Sequence, residues 1–113
     1  MDQPDRSSEL PASIAALLIG LEERSRARPD RVLRLRGVLP AGEGSEPFEL
    51  LIFRGFSSLT THPTAFDPDR PALPEGSRID SAELLQGPLD PDAETQLAGP
   101  AEVQEFLESG AWL

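Results

Sequence analysis

The stretch FELLIFRGF, residues 48–56, most tightly limits what this chain can fold into. On an extended backbone Phe48, Leu50, Ile52 and Phe56 fall on one side, and Leu51 and Phe53 on the other. A strand apolar on both sides belongs in the middle of a sheet, covered on two faces. Gly55 marks a bulge or a close backbone approach where that strand ends. Upstream, RVLRLRGVLP (31–40) sets Leu33, Leu35 and Leu39 against Arg34 and Arg36, the alternation of a half-buried strand. The intervening AGEGSEP, with two glycines and a proline, reads as a hairpin loop of moderate length. SRIDSAELLQG (77–87) supplies a third strand through a weaker alternation.

A chain of 113 residues fits a single domain. At that size roughly 65% of the unfolded surface can be buried, enough for one modest core. Residues 1–9 read as a disordered tail, and 10–113 as the domain. From Ala12, the residues Ile14, Leu17, Leu18 and Leu21 recur at helical spacing. They predict a helix of about four turns, with Pro11 and Ser13 near its start and Pro29 beyond its end. Gly20 weakens it by ~1 kcal/mol relative to Ala. The stripe packs on the sheet; alternatively Leu10, Ile14, Leu17 and Leu21 dock a partner. GPLDPDAETQLAG reads as loop, and GPAEVQEFLESGAWL as a short closing helix. Pro100 suits that helix's first turn, Glu102 its dipole and Gly110 its end. Its apolar face is Val103, Phe106 and Leu107, with Trp112 folded back. The expectation is an α+β fold: a small antiparallel meander of about three strands, an N-terminal and a C-terminal helix packed on it, and one long ordered loop.

The formal net charge is −10, and all ten cations are arginines. Such a field repels nucleic acid, which needs a basic footprint to displace counterions. Seven arginines nevertheless fall between Arg24 and Arg54. Solvated faces explain them most simply; a patch over Arg24, Arg26, Arg28, Arg34 and Arg36 facing RNA, or one facing an acidic protein, is the alternative. The absence of cysteine excludes disulfides, thiol catalysis and zinc–thiolate sites. MDQPDRSSELP is unlike a signal peptide, and the apolar run from Ile14 to Leu21 falls far short of the ~20 residues a membrane span needs. The expected location is the cytoplasm.

Behind the apolar strand comes a long excursion, residues 57–76, rich in hydroxyls and carrying His62, the only histidine. Leu59, Phe66 and Leu73 can pin it to the core, and Pro63, Pro68, Pro71 and Pro74 stiffen it. That describes an ordered Ω-like loop. A metal site from His62, Asp67 and Asp69 is chemically conceivable, but the spacing matches no metal motif, and the aspartates suit turn caps. A nucleophile among Ser57, Ser58, Thr60 and Thr61 with His62 as base lacks an elbow and oxyanion donors. Thr61 and His62, adjacent on an extended backbone, should point apart. Recognition remains: a stiff loop offering Thr61, His62, Phe66 and Asp67 to a protein partner, without cofactor or catalysis.

From Leu50 to Pro91 the sequence LLIFRGFSSLTTHPTAFDPDRPALPEGSRIDSAELLQGPLDP resembles a small uncharacterised domain of cyanobacteria and chloroplast-targeted proteins. The likeness rests on FRGFSS, THPTAFDPD, an LP-x-G-x-x-I-x-S pattern and the following GP. It loosens toward Val32 and is least at AGPAEVQEFLESGAWL. The resemblance carries no active-site residues. It implies an accessory or assembly factor of the photosynthetic apparatus or its biogenesis, peripheral to a thylakoid-associated complex.

Overall fold

The computed structural model describes residues 13–62, 72–90 and 92–112. Ser13 caps the N-terminus of helix α1 (Ile14–Ala27) by accepting the Ala16 N–H, a typical N-cap bond. Five strands follow: β1 (Arg31–Ala41), β2 (Gly44–Phe53), β3 (Phe56–Leu59), β4 (Arg78–Gln86) and β5 (Gln96–Ala101). They form one antiparallel sheet in the order β3-β2-β1-β4-β5. Two 3-10 segments, Val103–Leu107 and Ser109–Trp112, close the described chain.

The three-strand, two-helix α+β expectation is therefore corrected: the described residues make a mostly β fold of five strands with one α-helix. Three local causes account for the difference. First, FELLIFRGF is not one strand. Arg54 (φ 54°) and Gly55 (φ 88°) both lie in the left-handed region and make a two-residue hairpin turn between β2 and β3. Second, β5 lies inside the segment expected to be loop. It pairs with β4 through shifted register, and Pro100 suits its place on the sheet edge. Third, the expected closing helix is broken. Glu102 and Glu108 hold extended backbone, and Glu105 and Glu108 donate to carbonyls three residues back. Val103 and Phe106, three apart, still share the buried face, as a 3-10 segment places them.

The first hairpin is also tighter than expected. Ala41 pairs with Gly44, so the turn is Gly42–Glu43 and the strands run on through Pro40 and Pro47. At Gly37 the β1–β4 register shifts, and a Cβ there would lie 1.8 Å from the Arg78 carbonyl oxygen. Only glycine fits that bulge.

One face of the sheet carries the core. Leu33, Leu35, Leu50, Ile52 and Leu84 meet Leu18 and Leu21 of α1, with Val103, Phe106 and Leu73 joining. Trp112 is completely buried, donates its indole N–H to the Phe106 carbonyl at 2.6 Å, and meets the Phe106 ring edge-on. Ile14 and Leu17 pack against this cluster and Leu21 lies inside it, so the helix stripe serves the core. The expected tail at 1–9 lies outside the described residues.

Candidate functional site

Among the described residues, no helix packs on the opposite face of the sheet. The two-residue β2–β3 turn changes the parity of the chain, so Phe56 pairs with Phe53 and joins its face instead of the side of Phe48. Three rows cross this face. The first is Phe56, Phe53, Val32 and Leu85; the second is Ser58, Leu51, Arg34 and Glu83; the third is Glu49, Arg36 and Ser81. Glu94, in the segment after β4, reaches back to Arg34 and covers the β4 side. Leu85 is buried there, while Phe56 at the other side is 72% exposed.

Arg34 organises the second row. Its Nε donates to Glu83 at 2.9 Å and its Nη1 to Glu94 at 3.1 Å, and Glu49 lies 3.8 Å away. Burial works to lower the Arg34 pKa, but the hydrogen bonds and charges of Glu83 and Glu94 outweigh it and hold the guanidinium above its usual range. Burial likewise works to raise Glu49, yet bonds from Thr60 and Arg36, with the charges of Arg36 and Arg34, leave its carboxyl below the usual range. Arg36 also faces Glu83 at 3.5 Å. The charges here satisfy one another.

Beside this ionic lattice lies a groove of about 480 Å³ lined by Val32, Leu51, Phe53, Phe56 and Leu89. Arg54 also lines it, stacked over Phe53 at 4.8 Å. The turn that presents Arg54 and Phe56 is anchored to the helix. The Gly55 N–H donates to the buried Ser25 hydroxyl at 2.7 Å, and Arg54 Nε donates to the Pro29 carbonyl at 3.1 Å. Ser57 donates to Glu22 at 2.6 Å. Gly55 is needed twice over: its φ is positive, and a Cβ would sit 2.7 Å from the Arg26 side chain. A second cavity, about 420 Å³, lies between Ile14 and Leu17 of α1 and the start of β4.

After β3 the chain is latched to β2. Thr60 Oγ1 donates to Glu49 at 2.7 Å, and the Glu49 N–H donates to Thr61 Oγ1 at 3.1 Å. Thr61 Oγ1 lies 2.9 Å from His62 Nδ1, and His62 Nε2 lies 2.8 Å from Glu46. Thr61 and His62 thus meet, contrary to the expectation that they point apart. Because the Glu46 carboxylate only accepts, Nε2 carries the proton that bonds it, and in the neutral ring Nδ1 then accepts from the Thr61 hydroxyl. Hydroxyl, imidazole and carboxylate stand in the order of a nucleophilic relay. The threonine oxygen, however, is committed to the backbone, and the arrangement reads as a latch.

The expected recognition residues separate. Glu46 has the parity of Phe48 and Leu50, which places His62 toward the helix side and away from the groove. Phe66, Asp67 and Asp69 lie outside the described residues. Among the described residues, no three His, Asp or Glu side chains converge as metal ligands. The expected basic patch is also divided: Arg24 and Arg26 lie on α1 and Arg28 caps its end, whereas Arg34 and Arg36 lie in the ionic lattice on the opposite side of the sheet. The sequence reading missed Phe53, Arg54 and Phe56 as a surface. Its signal was the apolar second side of β2, taken as evidence of a covering layer. No described helix is long and apolar enough to cross a membrane.

The family comparison adds one match. Residues 18–109 match the model of a domain of unknown function, DUF7734. The chain belongs to that family. The matched DUF7734 region runs from the middle of α1 through all five strands to the 3-10 segments, so it contains both sheet faces and the groove. No curated protein and no solved structure matches the chain.

Proposed function

We propose that this DUF7734 domain is a non-enzymatic accessory or assembly factor that binds a protein partner on the open face of its sheet. The observation that carries the reading is Phe56, 72% exposed at the mouth of an apolar groove and held there by a turn fastened to α1. Exposed aromatics over a pre-formed groove are what interface anchors look like. The domain offers rigid strands under that surface and spends three polar contacts (Ser25, Pro29 and Glu22) on fixing its edge. Thr61 and His62 take a positioning part, by latching the chain beyond β3 to β2. A contact role for Phe66 and Asp67 rests on the sequence argument alone. Service to a photosynthetic assembly rests on the resemblance alone. For RNA, Arg34 and Arg36 are already engaged by glutamates, which leaves phosphate few cations on any one surface.

The test is capture of the tagged full chain at native expression, beside Phe56→Ser and His62→Ala variants shown to be folded, with and without RNase. A protein retained by wild type and by His62→Ala, lost with Phe56→Ser and indifferent to RNase, is the expected result. Retention by Phe56→Ser, or loss on RNase treatment, contradicts the reading.

A further inference from the structure

The cations of this domain are unequally neutralised, and the inequality points at the groove. Arg31, Arg34, Arg36 and Arg78 each pair with a carboxylate. Arg24, Arg26, Arg28 and Arg54 pair with none among the described residues; Arg24, Arg28 and Arg54 reach only the carbonyls of Leu107, Ala27 and Pro29. Arg26 and Arg54 meet at the β2–β3 turn. The Arg26 side chain lies against Gly55, Arg54 precedes it, and the Pro29 carbonyl held by Arg54 follows Arg28 directly. In a chain of net charge −10, Arg54, which lines the apolar groove without a carboxylate partner among the described residues, and Arg26 beside its turn form a complementary surface for an acid. The nearby carboxylates are already engaged or lie elsewhere. Asp30 pairs with Arg31, Glu22 accepts from Ser57, and Asp90 follows Leu89 and accepts the Asp92 N–H.

Arg54 itself strengthens the case. A two-residue turn with positive φ at both positions favours Asn-Gly, and here the first position holds arginine at φ 54°. Its Nε is used on the Pro29 carbonyl and its guanidinium lies over Phe53, while its terminal nitrogens, at the groove, have no carboxylate among the described residues. Resting on the reading of this face as a protein-binding surface, we propose that its partner presents a short segment in which a large apolar side chain stands beside carboxylates. The apolar group enters between Leu51, Phe53 and Phe56. The carboxylates meet Arg54 and Arg26, whose planar forks suit bidentate pairing.

The experiment selects random twelve-residue peptides displayed on phage against the intact chain, and measures the enriched peptides by fluorescence anisotropy. The account expects a shared large apolar residue within a few positions of Asp or Glu. It expects a loss of about tenfold or more with Arg26→Gln/Arg54→Asn and again with Phe56→Ser. Arg54→Asn suits the positive-φ turn but removes the bond to the Pro29 carbonyl, so retained amide chemical shifts across β2 and β3, read beside the thermal stability, separate lost charge from lost fold. Amide chemical shifts on peptide addition should move at Phe53 and Phe56. Peptides that move those shifts but lack acidic bias, or ignore the arginine variants, overturn the acidic partner and leave the groove reading standing. Peptides indifferent to Phe56→Ser, or no enrichment, overturn both. Tight binding of a labelled oligouridine that depends on Arg26 and Arg54 overturns the protein partner in favour of nucleic acid.

Discussion

Leu33, Leu35 and Leu39 leave β1 on one side, and Val32, Arg34 and Arg36 on the other. The first set is sealed under α1 and the 3-10 segments; the second meets a lattice of glutamates and then, toward β3, an apolar groove open to solvent. Both faces of the neighbouring β2 are apolar, yet only one is covered. The difference separates two uses of apolar residues that look alike in the sequence. On the core face they stabilise the fold, because packing at both ends of the side chain excludes water. On the open face Val32 and Leu85 are buried as well, and toward β3 the row ends in Phe56, whose burial awaits a partner. Substitutions on the two faces should therefore act on different observables.

The largest effect is expected in the core. Leu35→Ala removes a completely buried side chain beneath α1 and should destabilise the domain by about 3 kcal/mol, read from the urea unfolding midpoint. Arg34→Met comes next. It leaves Glu83, only 8% exposed, with the longer Arg36 contact at 3.5 Å alone and removes the bond to Glu94, and should cost about 2 kcal/mol. Arg34→Met/Glu83→Leu should recover most of that loss, since removing both partners removes the unpaired charge. A double variant no better than the single one would mean that the lattice does more than neutralise itself.

A smaller effect sharpens the ionic side of the comparison. Glu49 has its folded pKa held below the unfolded one, so its contribution to stability is present above the ordinary carboxylate range of about 4.3 and is lost as pH falls through the folded value. Wild type and Glu49→Gln should differ most near neutral pH and converge below about pH 4, with melting temperature as the readout. A gap that stays constant with pH would assign Glu49 a packing role instead. The smallest stability effect should come from the open face. Phe56→Ser should change unfolding free energy by no more than about 0.5 kcal/mol, because the ring is already mostly in water. A loss as large as that of Leu35→Ala would erase the distinction between the faces.

How much of this was legible in the sequence varied with how local the cause was. The helix start at Ser13, the alternation of β1 and the apolar content of β2 are local and could be read directly. The β2–β3 turn was hidden because Arg-Gly does not look like the usual positive-φ pair. With the turn unseen, Phe56 was assigned to the wrong side. β5 was hidden because its glycine and proline argue against a strand, and its pairing is supplied by distant β4. The spacing of Val103 and Phe106 serves a 3-10 segment as well as an α-helix, and only the extended Glu102 and Glu108 decide between them. For the site, the arginines were noticed as a group, but their division by the sheet depends on pairing register. Arg34 and Arg36 find glutamates on β2 and β4, while Arg26 and Arg28 do not.

The most direct test places a photoreactive benzophenone amino acid in the full chain at position 56, and separately at position 19. Phe56 and Ile19 are the two exposed large apolar residues among the described ones, one on the open sheet face and one on the outer side of α1. On irradiation in cells at native expression, position 56 should yield a discrete protein adduct and position 19 none. Adducts from position 19 alone, or none from position 56, would contradict the assignment of the open face to a partner.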